Sequence, residues 1–218
     1  SSSLTISLLK AFELFCGQRF FSTHKIVDVA HHIEAEVLNT PTGTQDYYAA
    51  VSGGLNILTY NYEGVSQEVL SIDSSYLVSH FLLVYTGRSH HSGINNFEVM
   101  KKAVAKDAET MKALRALKEI SEETAKVCRL GLWEKLPALF KEEYKWRIQL
   151  TPAFTSPEIE QLTELSLREG AEAIKICGAG VGGSVILWCS PNRREGLIKA
   201  CQAAKFQVLA AKPVGPRN

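Results

Sequence analysis

The chain has 218 residues, 45% of them hydrophobic and 22% charged, which supports a sizeable core and shows no bias towards disorder. A formal net charge of +1 argues against a broad nucleic-acid or membrane surface, so binding must come from local sites. The apolar run at 77–85 contains His80 and is too short to span a bilayer, and the five cysteines (Cys16, Cys128, Cys177, Cys189, Cys201) are odd in number without CxxC spacing, as expected of reduced core thiols in a cytoplasmic protein.

Ser1-Ser2-Ser3 opens the chain ahead of an apolar helix expected over 4–15. Residues 22–38 read as a second helix, with Ile26, Val29, Ala30, Ile33 and Val37 on one face and Glu34 near the C-terminal end. Next comes Gly43-Thr44-Gln45-Asp46-Tyr47-Tyr48-Ala49-Ala50-Val51-Ser52-Gly53-Gly54-Leu55-Asn56, polar turn residues around one carboxylate and then a run of small side chains. Ala49, Ala50 and Gly53 permit close packing behind a loop from which Asp46 points into a cleft. The purely structural alternative for Asp46 is a helix N-cap. Strands are expected over 56–62 and 65–72.

Phe81-Leu82-Leu83-Val84-Tyr85 reads as a buried strand ending at Thr86-Gly87. In the loop that follows, Arg88 has the fork geometry to grip a phosphate, whereas His90-His91 lacks a third nearby ligand and reads as polar loop. Met100, Ala103, Val104, Ala108, Met111, Leu114, Leu117 and Ile120 recur at helical spacing, which predicts helix packing. Ser156-Pro157 and Ser190-Pro191 each pair an N-cap with proline at the first helical position. The end of the chain is therefore expected as helix 157–168, strand 173–177, glycine loop, strand 184–188, helix 191–204 and strand 206–210.

That loop, Gly178-Ala179-Gly180-Val181-Gly182-Gly183, is dense enough in glycine for backbone N–H groups to converge on an anion. A dinucleotide fingerprint needs a helix after its glycines, and Ser184-Val185-Ile186-Leu187-Trp188 reads instead as a strand. A Gly-rich hairpin turn without ligand is the plain alternative, and Cys177 beside it reads as a buried strand residue, not a nucleophile.

Strand, glycine loop, strand resembles the third motif of the GHMP small-molecule kinases. Residues 43–56 resemble the segment that carries the active-site aspartate in that family's sugar-kinase branch, the D-glycero-D-manno-heptose 7-phosphate kinases especially. Ser1-Ser2-Ser3 resembles the end of the family's nucleotide motif, Pro-x-Gly-x-Gly-Leu-Gly-Ser-Ser-Ala, without its glycines. Residues 85–96 resemble a Thr-Gly-x-x-Arg-x-Ser-type loop with the arginine displaced to Arg88. The resemblance implies an α+β chain with a two-domain GHMP kinase fold: 1–72 finish the nucleotide-binding N-terminal domain, and 73–218 form a C-terminal domain with a ferredoxin-like layer.

The resemblance also implies ATP and Mg²⁺. Asp46 becomes the catalytic residue; Ser1, Ser2, Ser3, Gly178, Ala179, Gly180, Gly182 and Gly183 become nucleotide contacts. Gly43, Gln45, Asp46, Tyr48 and Arg88 fall to the sugar substrate. Ser2 and Glu34 fall to the metal, Glu34 lying twelve residues before Asp46, with Glu36 as its competitor. A single carboxylate suffices for Mg²⁺, which keeps water and phosphate oxygens as its other ligands.

The expected activity is ATP-dependent phosphorylation of a hydroxyl on a sugar or sugar phosphate, with no nucleic-acid or membrane partner and a homodimer left open. The alternatives are a noncatalytic binding or regulatory protein on the same fold, or an inactive fragment. A mevalonate-pathway kinase fits the Gln45-Asp46-Tyr47 context less well. The family's first motif and the glycines of its second have no counterpart and no initiator Met is present, so the 218 residues are expected to be part of a longer chain and a poor kinase alone.

Overall fold

The computed structural model describes residues 2–19, 21–72, 74–88, 94–178, 180 and 182–217. They form two compact units, Ser1–Ser74 with Pro213–Asn218, and Ser75–Lys212. Among the described residues no helix is long and apolar enough to cross a membrane.

In the first unit, α1 (Ser2–Phe15), α2 (Thr23–Leu38) and α3 (Gln45–Ser52) pack on one another ahead of a hairpin of β1 (Leu55–Asn61) and β2 (Gly64–Leu70). Helix α2 begins where the Ser22 hydroxyl accepts the Lys25 N–H, and it ends at Asn39, whose left-handed backbone (φ 50°) returns its N–H to the Glu36 carbonyl. The buried face of α2 is rotated from the expected one. Ile26, Val27, Ala30 and Glu34 are buried, while Ile33 and Val37 are exposed, because Ile6 of α1 and Tyr47 and Tyr48 of α3 cover that side.

Asp46, expected in a loop, lies in the first turn of α3 and is not its N-cap. Thr44 holds the cap position, and its hydroxyl bonds the Tyr60 phenol at 2.9 Å, tying the start of α3 to β1. The hairpin pairs Leu55 with Leu70 through Asn61 with Gly64, so Tyr62-Glu63 makes the turn. The tail joins this unit after α3: the Gly54 N–H donates to the Val214 carbonyl at 2.8 Å and the Arg217 N–H to the Ser52 carbonyl at 2.7 Å.

The second unit is built on a four-stranded antiparallel sheet of β3 (Phe81–Tyr85), β4 (Ala171–Ile176), β5 (Ser184–Cys189) and β6 (Gln207–Leu209), in the spatial order β4-β5-β3-β6. Helix α4 (Ser74–His80) leads into β3. Between β3 and β4 run α5 (Ile94–Val104), α6 (Ala108–Arg129), α7 (Leu136–Leu150) and α8 (Pro157–Arg168); α9 (Pro191–Ala203) joins β5 to β6. This β-α-β-β-α-β order with strands interleaved is the ferredoxin-like layer. Leu82, Val84, Ile174, Ile176, Val185 and Leu187 meet Ile159 and Leu162 of α8 and Leu197 and Cys201 of α9 in one core. Alternation along β5 turns Trp188 to the other face, where it packs edge-on against Phe81, ring centroids 4.7 Å apart.

The apolar positions at helical spacing over 100–120 fall on two helices, α5 and α6. Lys106 takes φ 57°, and Asp107 then caps α6 by accepting the Thr110 N–H at 2.9 Å, so Val104 and Met100 end up exposed. Helix α7 is unmarked by sequence pattern because it packs against both α6 and β4, which blurs a single apolar stripe.

Candidate active site

Helix α3 sets the geometry of the first unit. Asp46, Ala49 and Ala50 share one face at i, i+3 and i+4, and with Ser2 and Ser3 at the start of α1 they line a depression of about 390 Å³. The carboxylate sits in the first turn, where the helix N-terminus favours negative charge, and the alanines leave room beside it.

Ser2 also meets Glu34. Its hydroxyl donates to Glu34 Oε2 at 3.5 Å, and the Tyr47 phenol donates to the same oxygen. Glu34 is only 8% exposed, so Tyr47, itself fully buried, supports a desolvated carboxylate at the edge of the Ser2 site. Two hard oxygens side by side, one of them a carboxylate, fit Mg²⁺ completed by phosphate and water. Among the described residues no group of three or more His, Cys, Asp or Glu is arranged to hold a metal ion. Glu36, the competitor, is exposed.

Gly43 and Gln45 are exposed at the entrance to α3. Tyr48 does not join Asp46. It points to another depression, lined also by His24, Lys25, Asp28, Glu63 and Val65, where its hydroxyl lies 3.0 Å from His24 Nδ1. Burial, with Tyr60 and Asp28 nearby, pushes the Tyr48 phenol above its ordinary 10.0, so it stays protonated. Ser1 and Ala179, like His90 and His91, lie outside the described residues.

In the second unit the glycine loop joins β4 to β5, and its glycines have different reasons. Gly178 is exposed with φ 70°. Gly180 (φ 77°) lies against the Phe154 backbone, and Gly182 against the backbone of Arg88. The Gly183 N–H donates to the Arg88 carbonyl at 2.8 Å, and the Gly183 carbonyl accepts from the Thr86 N–H and hydroxyl at 2.9 and 3.0 Å. The expectation that every amide from 178 to 183 cradles phosphate is thus corrected at Gly183, whose N–H extends the β3–β5 ladder. Arg88 turns its guanidinium to Glu158 at 3.3 Å, while hydrogen bonds from Glu158's own N–H and from Ser156, with Arg88 beside it, hold that carboxyl below the usual range.

Residues 100–207, from within α5 to the first residue of β6, match the family described as GHMP kinases C terminal. The chain carries a GHMP kinase C-terminal domain. It is 26% identical over 212 residues to the D-glycero-alpha-D-manno-heptose 7-phosphate kinase of Campylobacter jejuni, covering 95% of this chain and 62% of that protein. Solved structures share the fold: a D-glycero-D-manno-heptose 1-phosphate kinase of Bacteriodes thetaiotaomicron at TM-score 0.74 and 20% identity, with 99% of this chain and 60% of that one covered. The L. major mevalonate kinase superposes at 0.75 and 17% identity, with 99% and 65% covered. The chain therefore spans less than two thirds of the length of these relatives.

Sequence pattern missed Tyr47 as the support of Glu34 and Phe154 as the wall behind Gly180. Tyr47 had a usable signal, since it directly follows Asp46 on a helix. Phe154 had none, because its part depends on a contact across 26 residues of chain.

Proposed function

We propose that this GHMP kinase chain serves an ATP-dependent sugar kinase that phosphorylates the anomeric hydroxyl of a sugar or sugar phosphate. The observation that carries the reading is the depression lined by Ser2, Ser3 and Asp46, with Ser2 bonded to Glu34. Asp46 accepts the proton of the attacking hydroxyl or orients its oxygen. Ser2 and Glu34 would hold an Mg²⁺, which would supply charge neutralisation for the donor's phosphates. The Ser2 and Ser3 side chains line the depression as phosphate contacts in the first unit, and in the second unit, taken by itself, the exposed Gly178 amide is the loop donor available to an anion. Catalysis on this reading is position and electrostatics, with no covalent enzyme intermediate.

Support for a sugar over an isoprenoid acceptor comes from the 26% identity to the heptose kinase over 95% of the chain. The test is Asp46→Asn in a protein carrying this chain, assayed for sugar-dependent ADP release and separately for nucleotide binding. Turnover should disappear while ATP binding stays near wild type. Retained turnover removes Asp46 from the mechanism, and wild-type nucleotide binding with no turnover on any sugar or sugar phosphate favours the noncatalytic reading.

A further inference from the structure

The tail that returns to the first unit ends beside the Asp46 helix. Arg217 is pinned twice there: its N–H donates to the Ser52 carbonyl at 2.7 Å, and its Nη1 to the Ala50 carbonyl at 3.4 Å. The turn after α3 is shaped to receive it. Gly53 and Gly54 both have positive φ, 59° and 64°; a Cβ at Gly53 would run into the Gly215 carbonyl of the tail, and one at Gly54 would meet the Leu70 carbonyl and Val69 of β2 before Pro216.

Ala50 belongs to the wall of the depression that Asp46 lines. Among the described residues Arg217 is the cation bonded to a residue of that wall, since Ser2, Ser3, Ala49 and Asp46 have no basic partner. Arg88, the residue sequence pattern assigned to a sugar phosphate, is occupied by Glu158. A guanidinium carries five N–H donors in a fixed plane, and Ala50 engages Nη1 alone, so the exposed remainder keeps a fork of the kind that grips a phosphate. Its anchoring at backbone and side chain has already met part of the ordering cost of binding. Asp46 and Ala50 are four residues apart, about 6 Å along the helix axis, so hydroxyl activation and anion recognition occupy different ends of one wall.

We propose that Arg217 binds a phosphate group on the acceptor and so selects a phosphorylated sugar over a free one. This rests on the sugar-kinase reading. It adds what that reading leaves open, the charge state of the substrate and the residue that senses it.

Calorimetric titration of a protein carrying this chain with D-glycero-D-manno-heptose 7-phosphate, the matching free heptose and ADP tests it. Arg217→Ala should weaken the sugar phosphate about tenfold to a hundredfold, the usual range for losing charge-assisted hydrogen bonds. Free heptose and ADP should bind as before. Arg217→Lys should recover part of the loss, because it restores the charge without the fork. Amide exchange across 45–54 should match wild type, since the Arg217 N–H bond to Ser52 survives both changes. An equal loss for ADP assigns the arginine to the nucleotide and overturns the proposal. So does an equal loss for free heptose, unchanged sugar-phosphate binding, or no sugar-phosphate binding by the wild-type chain. Loss of turnover in Asp46→Asn alongside unchanged selectivity in Arg217→Ala leaves the kinase reading standing and removes only Arg217.

Discussion

Gly180→Ala separates two reasons for a glycine in the β4–β5 loop. A Cβ at Gly180 would lie 2.7 Å from the Phe154 carbonyl oxygen and 2.8 Å from its Cα. Both are backbone atoms, so no side-chain rotation relieves the contact. A left-handed backbone, here φ 77°, costs a residue with a Cβ about 1–2 kcal/mol. Forcing a methyl into a tight contact adds about 1–3 kcal/mol, so the substitution should destabilise the unit by about 2–5 kcal/mol. All three tryptophans, Trp133, Trp146 and Trp188, belong to the second unit, so urea unfolding followed by tryptophan fluorescence reads the unit that contains the change. At a slope of about 2 kcal/mol per molar urea, the midpoint should fall by about 1–2.5 M. Gly196 in α9 is the internal control, because a Cβ there meets nothing within 4 Å and Gly196→Ala should raise stability by about 0.5–1 kcal/mol. A Gly180→Ala midpoint equal to wild type would refute the packing argument and leave ligand approach as the reason for this glycine.

Two further outcomes follow from buried polar groups. Tyr47→Phe removes a donor to the buried Glu34 carboxylate and should cost about 1–3 kcal/mol, read by circular-dichroism melting; on the metal reading it also raises the Mg²⁺ concentration needed for binding. An unchanged melt would mean that Glu34 does not depend on the phenol. Burial pushes the Cys128 and Cys201 thiols up from 9.0 to about 11, so at pH 8 a thiol reagent should label exposed Cys16 quickly and these two only on unfolding. A raised folded value means the stability is complete below pH 9.0 and is lost as pH rises through about 11, on the order of 2 kcal/mol per thiol. Urea midpoints at pH 8 and pH 10.5 measure it, and Cys201→Ala should show the smaller drop.

The legible parts of this chain were those governed by short-range chemistry. Ser22 and Ser156 accept the N–H three residues on, as an N-cap must, and helices α2 and α8 start directly after them. The apolar runs on either side of the glycine loop form β4 and β5: β5 has no exposed residue and needs no alternation, while β4 turns Glu172 outward. The rotated face of α2 was not legible. Which residues of an amphipathic helix are buried depends on the neighbours supplied, and Tyr47 and Tyr48 cover Val27 and Glu34 in place of Ile33 and Val37.

The candidate site divides in the same way. The order of motifs that resemble the GHMP kinases singles out Asp46, Ser2 and Glu34 as candidates, and glycine density alone marks the loop at 178–183 as a place of close backbone approach. Tertiary structure alone decides that Ser2 reaches Glu34 across 32 residues, that Tyr48 serves a different depression from Asp46, that the Gly183 N–H belongs to the Arg88 carbonyl, and that Arg217 comes back to the Ala50 end of the Asp46 helix. Those pairings are set by how helices and strands pack over long stretches of chain, and local sequence carries no energy term for them.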